Sequence, residues 1–236
     1  LHTYNDWTTQ LIVDHRVVRM DLPGYGLTGP FPHRNYSIDN YVIFLKHFLA
    51  SLGIKSCVLV GNSLGGRLAW NFTIEYPDMV EELILIDAAG YPPEAKSVPV
   101  AFKIAQTPVI KNIFTFITPR SIAKASVENV YKDKTKVTKE LVDRYFELTL
   151  REGNRQAFVD RFRVSPDTSS YKKIKLIEQR TLILWGEQGV VHQCFEPLKE
   201  WSKVAVNVQG KALPCGHYIP EEAPALLLQQ VQLFLD

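Results

Sequence analysis

Between residues 56 and 77 the hydrophobic pattern changes period within a few positions, and this limits the possible folds more than any other feature of the chain. "SCVLVG" at 56–61 is a short, β-rich apolar run, the pattern of a strand buried on both faces. A glycine-bounded turn follows, then a helical segment over 64–76 that Pro77 closes. "ELILID" at 82–87 is a second apolar strand. A strand that turns tightly into a helix and returns as a strand is the unit of a parallel sheet covered on both faces.

The same rhythm extends in both directions. "HRVVRMD" at 15–21 reads as a strand stopped by "LPGYG", where Pro23, Gly24 and Gly26 break regular structure. Asp39 to Leu52 reads as an amphipathic helix with Ile43, Phe44, Phe48 and Leu52 near helical spacing, ended by Gly53. Further on, "TLILWG" at 181–186 and "VAVNV" at 204–208 read as strands, and Pro220 to Phe234 as a closing helix. That helix carries Pro220 at its start, where its fixed φ suits the first turn, and Glu221 and Glu222, whose carboxylates complement the helix dipole.

From Tyr91 to Ile177 the strand pattern stops, and helical patches alternate with Pro92, Pro93, Pro99, Pro108, Pro119 and Pro166. The expected organisation is an α/β core over 1–90, a helical insertion over 91–177 and the remainder of the core over 178–236. The insertion holds 17 Lys and Arg against 9 Asp and Glu, whereas the flanks hold 10 against 16. Solvated helix faces account for this most simply, and attraction of an anionic substrate or a membrane surface is the alternative. No basic patch interleaved with aromatics points to nucleic acid.

No apolar run approaches the roughly 20 residues that span a bilayer, and "LHTYNDWTTQ" lacks the zones of a signal peptide, so a cytoplasmic location is the default. Cys57, Cys194 and Cys215 have no metal-ligand spacing, and their odd number argues against a disulfide framework. No metal or cofactor is expected, Cys215 reads as a buried filler, and nothing in the sequence bears on oligomeric state.

The chemistry concentrates at Ser63. "GNSLG" at 61–65 between strand and helix has the form of a nucleophile elbow, a tight turn that strains the serine backbone and exposes its hydroxyl. Gly61 and Gly65 are expected where a β-carbon would collide with a neighbouring element. The backbone N–H of Leu64, at the helix N-terminus, is the natural donor to a developing oxyanion. A serine needs a base, and His217 in "LPCGHYIPEEAP" is the candidate, placed between the last strand and the final helix. His2, His15, His33, His47 and His192 fall on expected loops and helix faces.

Together, "DLPGYGLTGP" at 21–30, "GNSLGG" at 61–66, "LIDAAGYPP" at 85–93, "LILWGEQ" at 182–188 and "GHYIPEEAP" at 216–224 resemble the α/β-hydrolase superfamily over essentially the whole chain. The order nucleophile, helical cap after the sixth family strand, acid loop and histidine matches the cap-bearing esterase and lipase type. The resemblance implies acyl-enzyme chemistry on a small-molecule acyl substrate, with Ser63 as nucleophile and His217 oriented by a carboxylate.

Two departures stand out. The family's acid falls at position 189, which is Gly189 here. Glu187 is near in sequence, but alternation of side-chain direction does not aim it at His217. Asp87, at the end of the strand after the nucleophile strand, is the stronger substitute and matches the placement in dehalogenase-like branches. Those branches use an aspartate nucleophile, so Ser63 argues against dehalogenation. The second departure is at the start, where the resemblance implies a strand between 15–21 and 56–61 and a loop with a second oxyanion donor. "LHTYNDW" therefore reads as the remainder of a longer protein. The functions to be weighed are an ester hydrolase, a C–C bond hydrolase or perhydrolase of the same superfamily, and a ligand-binding protein with a degraded triad. Phe102, Phe114, Phe116 and Phe158 are read either as substrate-facing or as the core of the cap.

Overall fold

The computed structural model describes residues 1–90, 115–164, 170–188, 201, 203, 205 and 207–236. Four parallel strands, β1 (Cys57–Asn62), β2 (Val80–Ile86), β3 (Arg180–Gly186) and β4 (Val208–Leu213), lie side by side in chain order. Alternation along β2 divides its side chains between two cores. Ile84 and Ile86 pack with Leu182, Leu184 and Leu213 beneath the final helix, whereas Leu83 and Leu85 pack with Ile183, Trp185 and Trp70 on the other face. Burying each such side chain contributes roughly 1.5–3 kcal/mol, which makes both faces necessary to the fold.

The core helices are α1 (Asn5–Leu11), α2 (Ile38–Ser51) and α3 (Leu64–Glu75). Ser37 caps α2 by accepting from the Asn40 N–H. The buried face of α2 is Tyr41, Val42, Leu45 and Leu49, and Ile43 and Leu52 lie in solvent at 48% and 38% exposure. The sequence reading placed the apolar face about one position away, because Phe44 and Phe48 only flank the contact.

Three further expectations are corrected. Residues 15–21 form no strand, and among the described residues β1 hydrogen-bonds a neighbour only through β2. An extended segment becomes a strand only with a ladder partner. A cavity of about 1730 Å³ instead meets Val17, Val18 and Met20 as well as Val58 and Val60. The last strand is 208–213 rather than 204–208; it is the edge strand, and its exposed Gln209, Gly210 and Lys211 carry little apolar signal. The closing helix is also two helices, α7 (Ile219–Glu222) and α8 (Pro224–Leu235), because Pro224 disfavours helical backbone at Ala223, which has φ −137° and ψ 52°. Between β2 and β3 the described residues form α4 (Arg120–Val130), α5 (Lys139–Leu150) and α6 (Asn154–Arg161), with 3-10 turns at Lys134–Lys136 and Ser170–Leu176. Among the described residues this stretch holds no strand, and no helix is long and apolar enough to cross a membrane.

Helix α6 is tied to the core by polar contacts. Asn154 Nδ2 donates to the Gly26 carbonyl at 2.9 Å, and Arg34 donates twice to the buried Asp160 carboxylate, at 2.6 and 2.8 Å. Gly24, at φ +87°, lies so close to α6 that a β-carbon there would come within 3.0 Å of Ala157 Cβ. The glycine-rich loop at 22–26 is therefore the seat of this helix.

Candidate active site

At the C-terminal edge of the sheet, β1 and β2 both end in a residue with left-handed backbone. Ser63 has φ 51° and ψ −115°, and Asp87 has φ 42°. Such conformations cost on the order of 1–3 kcal/mol each and persist only where the surroundings impose them. At Ser63 hydrogen bonds supply the restraint: its N–H donates to the Ile86 carbonyl at 3.0 Å, and its carbonyl accepts from Arg67 and Ala89 at 3.0 and 2.9 Å. Leu64 begins α3, so its N–H lies outside the helix ladder.

The glycines around this turn do not share one role. A β-carbon on Gly61 would stand 2.2 Å from the Gly65 carbonyl oxygen, whereas one on Gly65 would meet nothing within 4 Å. The expectation that Gly65 avoids a collision is thus corrected. The second crowded position is Gly66, whose β-carbon would stand 2.5 Å from Ala88 Cβ. Gly61→Ala and Gly66→Ala should each destabilise by on the order of 3 kcal/mol, and Gly65→Ala should be neutral or gain up to about 1 kcal/mol from helix propensity. Urea midpoints of the three variants check this ranking.

His217 lies on the loop between β4 and α7, 3% exposed. Its N–H donates to the Val130 carbonyl at 2.8 Å, and its carbonyl accepts from Asn62 Nδ2 at 3.4 Å. The ring stacks on Tyr218 at 5.7 Å between centroids. His217 Nδ1 is 3.5 Å from Asp87 Oδ2, and the same carboxylate oxygen accepts from the Gly186 N–H at 3.3 Å. The separation is slightly longer than a formed hydrogen bond.

The two candidate carboxylates are thus in different surroundings. Asp87 is buried against His217, whereas Glu187 is exposed, its backbone N–H bonded to the Leu213 carbonyl at 2.9 Å. Gly189 lies outside the described residues, as do His192, Cys194, Phe102 and Phe114. His2, His15, His33 and His47 are exposed, and Phe116 is 77% exposed, so Phe116 is not part of a core. Cys215 is buried; burial first, then nearby Glu222 and Asp87, push its thiol up to about 12, which keeps it an unreactive neutral filler.

Sequence reasoning missed Glu222. It had this residue as a first-turn carboxylate facing the helix dipole, but α7 buries it beneath the His217 loop. Glu222 Oε2 accepts from the Gly216 N–H at 2.7 Å and from Lys132 N–H at 3.2 Å, and Oε1 accepts from Asp133 N–H at 2.9 Å. One carboxylate therefore ties the histidine loop to the segment after α4. Gly216 fits there because a β-carbon would come within 2.5 Å of the Val130 carbonyl oxygen. The signal in the sequence was the doubled glutamate after the glycine–histidine pair, since dipole compensation accounts for neither residue in particular. Its neighbour Glu221 accepts from the Tyr131 and Tyr145 hydroxyls at 2.7 and 2.9 Å.

A parallel sheet with a strained serine at the end of one strand, and a buried histidine–aspartate pair at the same edge, defines a protein of the α/β-hydrolase class. The family model for the alpha/beta hydrolase fold matches residues 5–224, and the chain belongs to that family. It is 27% identical over 249 residues to 2-hydroxy-6-oxo-2,4-heptadienoate hydrolase of Pseudomonas putida, covering 98% of this chain and 83% of that protein. Human epoxide hydrolase 4 is 45% identical over 75 residues, a match spanning 31% of this chain and only 21% of that relative. A meta-cleavage product hydrolase from Pseudomonas fluorescens IP01 superposes with a TM-score of 0.82 at 22% identity, over 99% of this chain and 85% of the other.

Proposed function

We propose that the protein is a serine hydrolase that cleaves a carboxylic ester or similar acyl substrate through an acyl-enzyme. The observation that carries this reading is the strained Ser63 at the N-terminus of α3, on the sheet edge where His217 faces Asp87. In this reading Ser63 Oγ attacks the substrate carbonyl while His217 takes its proton. The oxyanion forms against the Leu64 N–H, where the helix dipole favours negative charge. Asp87 holds the Nδ1 side of the ring and stabilises the imidazolium. Collapse expels the alcohol with the proton from His217, and water releases the acid by the same steps in reverse order. The helices α4 to α6 serve as a cap over the substrate, with no cofactor or metal in the reaction.

A second reading, hydrolysis of a C–C bond next to a carbonyl, is favoured by the likeness to the Pseudomonas putida hydrolase over almost the whole chain. Both readings use Ser63. A fluorophosphonate probe should modify the wild-type protein at Ser63 and leave Ser63→Ala untouched. A folded sample that takes no label would favour instead a ligand-binding protein on a hydrolase scaffold. Initial rates on a 4-nitrophenyl ester and on a vinylogous diketone acid then separate ester from C–C cleavage.

A further inference from the structure

Backbone hydrogen bonds hold the His217 loop but do not aim its ring. With the N–H fixed on the Val130 carbonyl at 2.8 Å, the imidazole still turns about its side-chain bonds. Asp87 meets its Nδ1 edge at 3.5 Å, and Tyr218 lies against a face, with centroids 5.7 Å apart and planes inclined at 27°. Since the Asp87 contact is longer than a formed hydrogen bond, the ring contact takes a large share in setting the orientation. A strand would turn successive side chains to opposite sides. The loop is not extended at Tyr218, which has φ −91° and ψ 61°, and the two adjacent rings stack there.

Residues inserted between β2 and β3 hold Tyr218 in turn. Tyr145 of α5 stacks on it at 5.9 Å with planes 13° apart, and Tyr131, next after α4, stands perpendicular to it at 6.3 Å. Stacked and edge-on pairs at such separations are the favoured geometries of aromatic rings. Glu221, three residues after Tyr218 and so on the same side of the short helix α7, accepts from the hydroxyls of both Tyr131 and Tyr145. Burial pushes these two hydroxyls well above the ordinary tyrosine range, and both stay protonated donors to the carboxylate. Tyr145, Tyr218 and Glu221 line the cavity that Ser63 and His217 also line, so the column of rings adjoins the space for substrate.

We propose that Tyr218 is a positioning residue: its ring, held by Tyr145 and by the Glu221 clamp, sets the orientation of the His217 imidazole, so that α5 takes part in aiming the base. This rests on the serine-hydrolase reading, in which His217 takes the Ser63 proton. Steady-state rates on 4-nitrophenyl butyrate test it. Tyr218→Leu should lower kcat by about 10- to 100-fold with KM changed by less than about threefold, the scale set by a small misplacement of a catalytic group. Tyr218→Phe, which keeps the ring, should recover most of that loss. Tyr145→Leu should lower kcat by about 3- to 10-fold alone and by less than about twofold when added to Tyr218→Leu, because a residue that acts through another is not additive with it. Proton NMR on protein with isotope-labelled histidine reads the ring without turnover. The ring current of Tyr218 shifts the His217 C–H signals, assigned by comparison with His217→Gln, and Tyr145→Leu should move them too; this variant carries the test if Tyr218→Leu does not fold. A Tyr218→Leu protein with wild-type kcat, a loss confined to KM, additive losses from the two tyrosines, or His217 signals unmoved by Tyr145→Leu would overturn the proposal. If the wild-type protein hydrolyses no ester, the serine-hydrolase reading fails while the NMR signals still judge the ring column.

Discussion

Asp87→Asn is expected to lower kcat for ester hydrolysis by on the order of 1,000-fold or more, while leaving fluorophosphonate reaction at Ser63 detectable after long incubation. The carboxylate is buried beside His217 Nδ1 at 3.5 Å and also accepts from the Gly186 N–H. An amide of the same shape keeps an acceptor for one of these groups, but can hold the imidazole in the wrong tautomer and cannot stabilise an imidazolium. The loss therefore falls on kcat more than on KM, since no substrate contact is removed. Position 189 supplies the control. With Asp87 serving as the acid, Gly189→Asp should bring no gain in the wild-type background and should not rescue Asp87→Asn. An unchanged rate in Asp87→Asn, or a tenfold gain from Gly189→Asp, would move the acid away from β2.

Glu222→Ala should destabilise the fold by on the order of 3–5 kcal/mol, because it leaves the buried N–H groups of Gly216, Lys132 and Asp133 without their acceptor. Against a total stability of about 5–15 kcal/mol, that brings the domain close to unfolding. Glu222→Gln is the informative variant. It retains one carbonyl oxygen but turns an NH2 group towards at least one backbone donor, so a loss of about 1–3 kcal/mol is expected with the fold intact. Since the Gly216 N–H adjoins His217, kcat should fall along with stability, and urea midpoints alongside steady-state rates measure both. A Glu222→Gln protein with full kcat would show that the carboxylate holds the two segments together without bearing on the histidine.

Much of the fold could be read locally. The runs at 56–61, 82–87 and 181–186 became β1, β2 and β3 within two residues, because a strand buried on both faces needs continuous apolar sequence. The edge strand β4 was placed too early, since an edge requires fewer apolar residues and neighbouring "VAVNV" alternates more clearly. The segment at 15–21 has strand-like composition but no ladder, because pairing belongs to the neighbour and not to the segment. On the α2 helix, counting apolar residues located the element but misjudged its buried face, since Tyr41 and Leu45 are turned to the core and Ile43 to water.

The sequence by itself determined the alternating strands and helices, the strained turn at Ser63 and the histidine loop, because periodicity and turn stereochemistry act within a few residues of the chain. Only the tertiary structure decided which carboxylate approaches His217. Asp87 and His217 are far apart in sequence and meet because β2, β3 and β4 run parallel in adjacent register, which brings the end of β2 and the loop after β4 to one edge. The same holds for Glu222, whose neighbours come from the segment after α4, and for Tyr218, whose stacked neighbour Tyr145 comes from α5. Contacts between distant segments depend on how layers pack, and no local pattern encodes that.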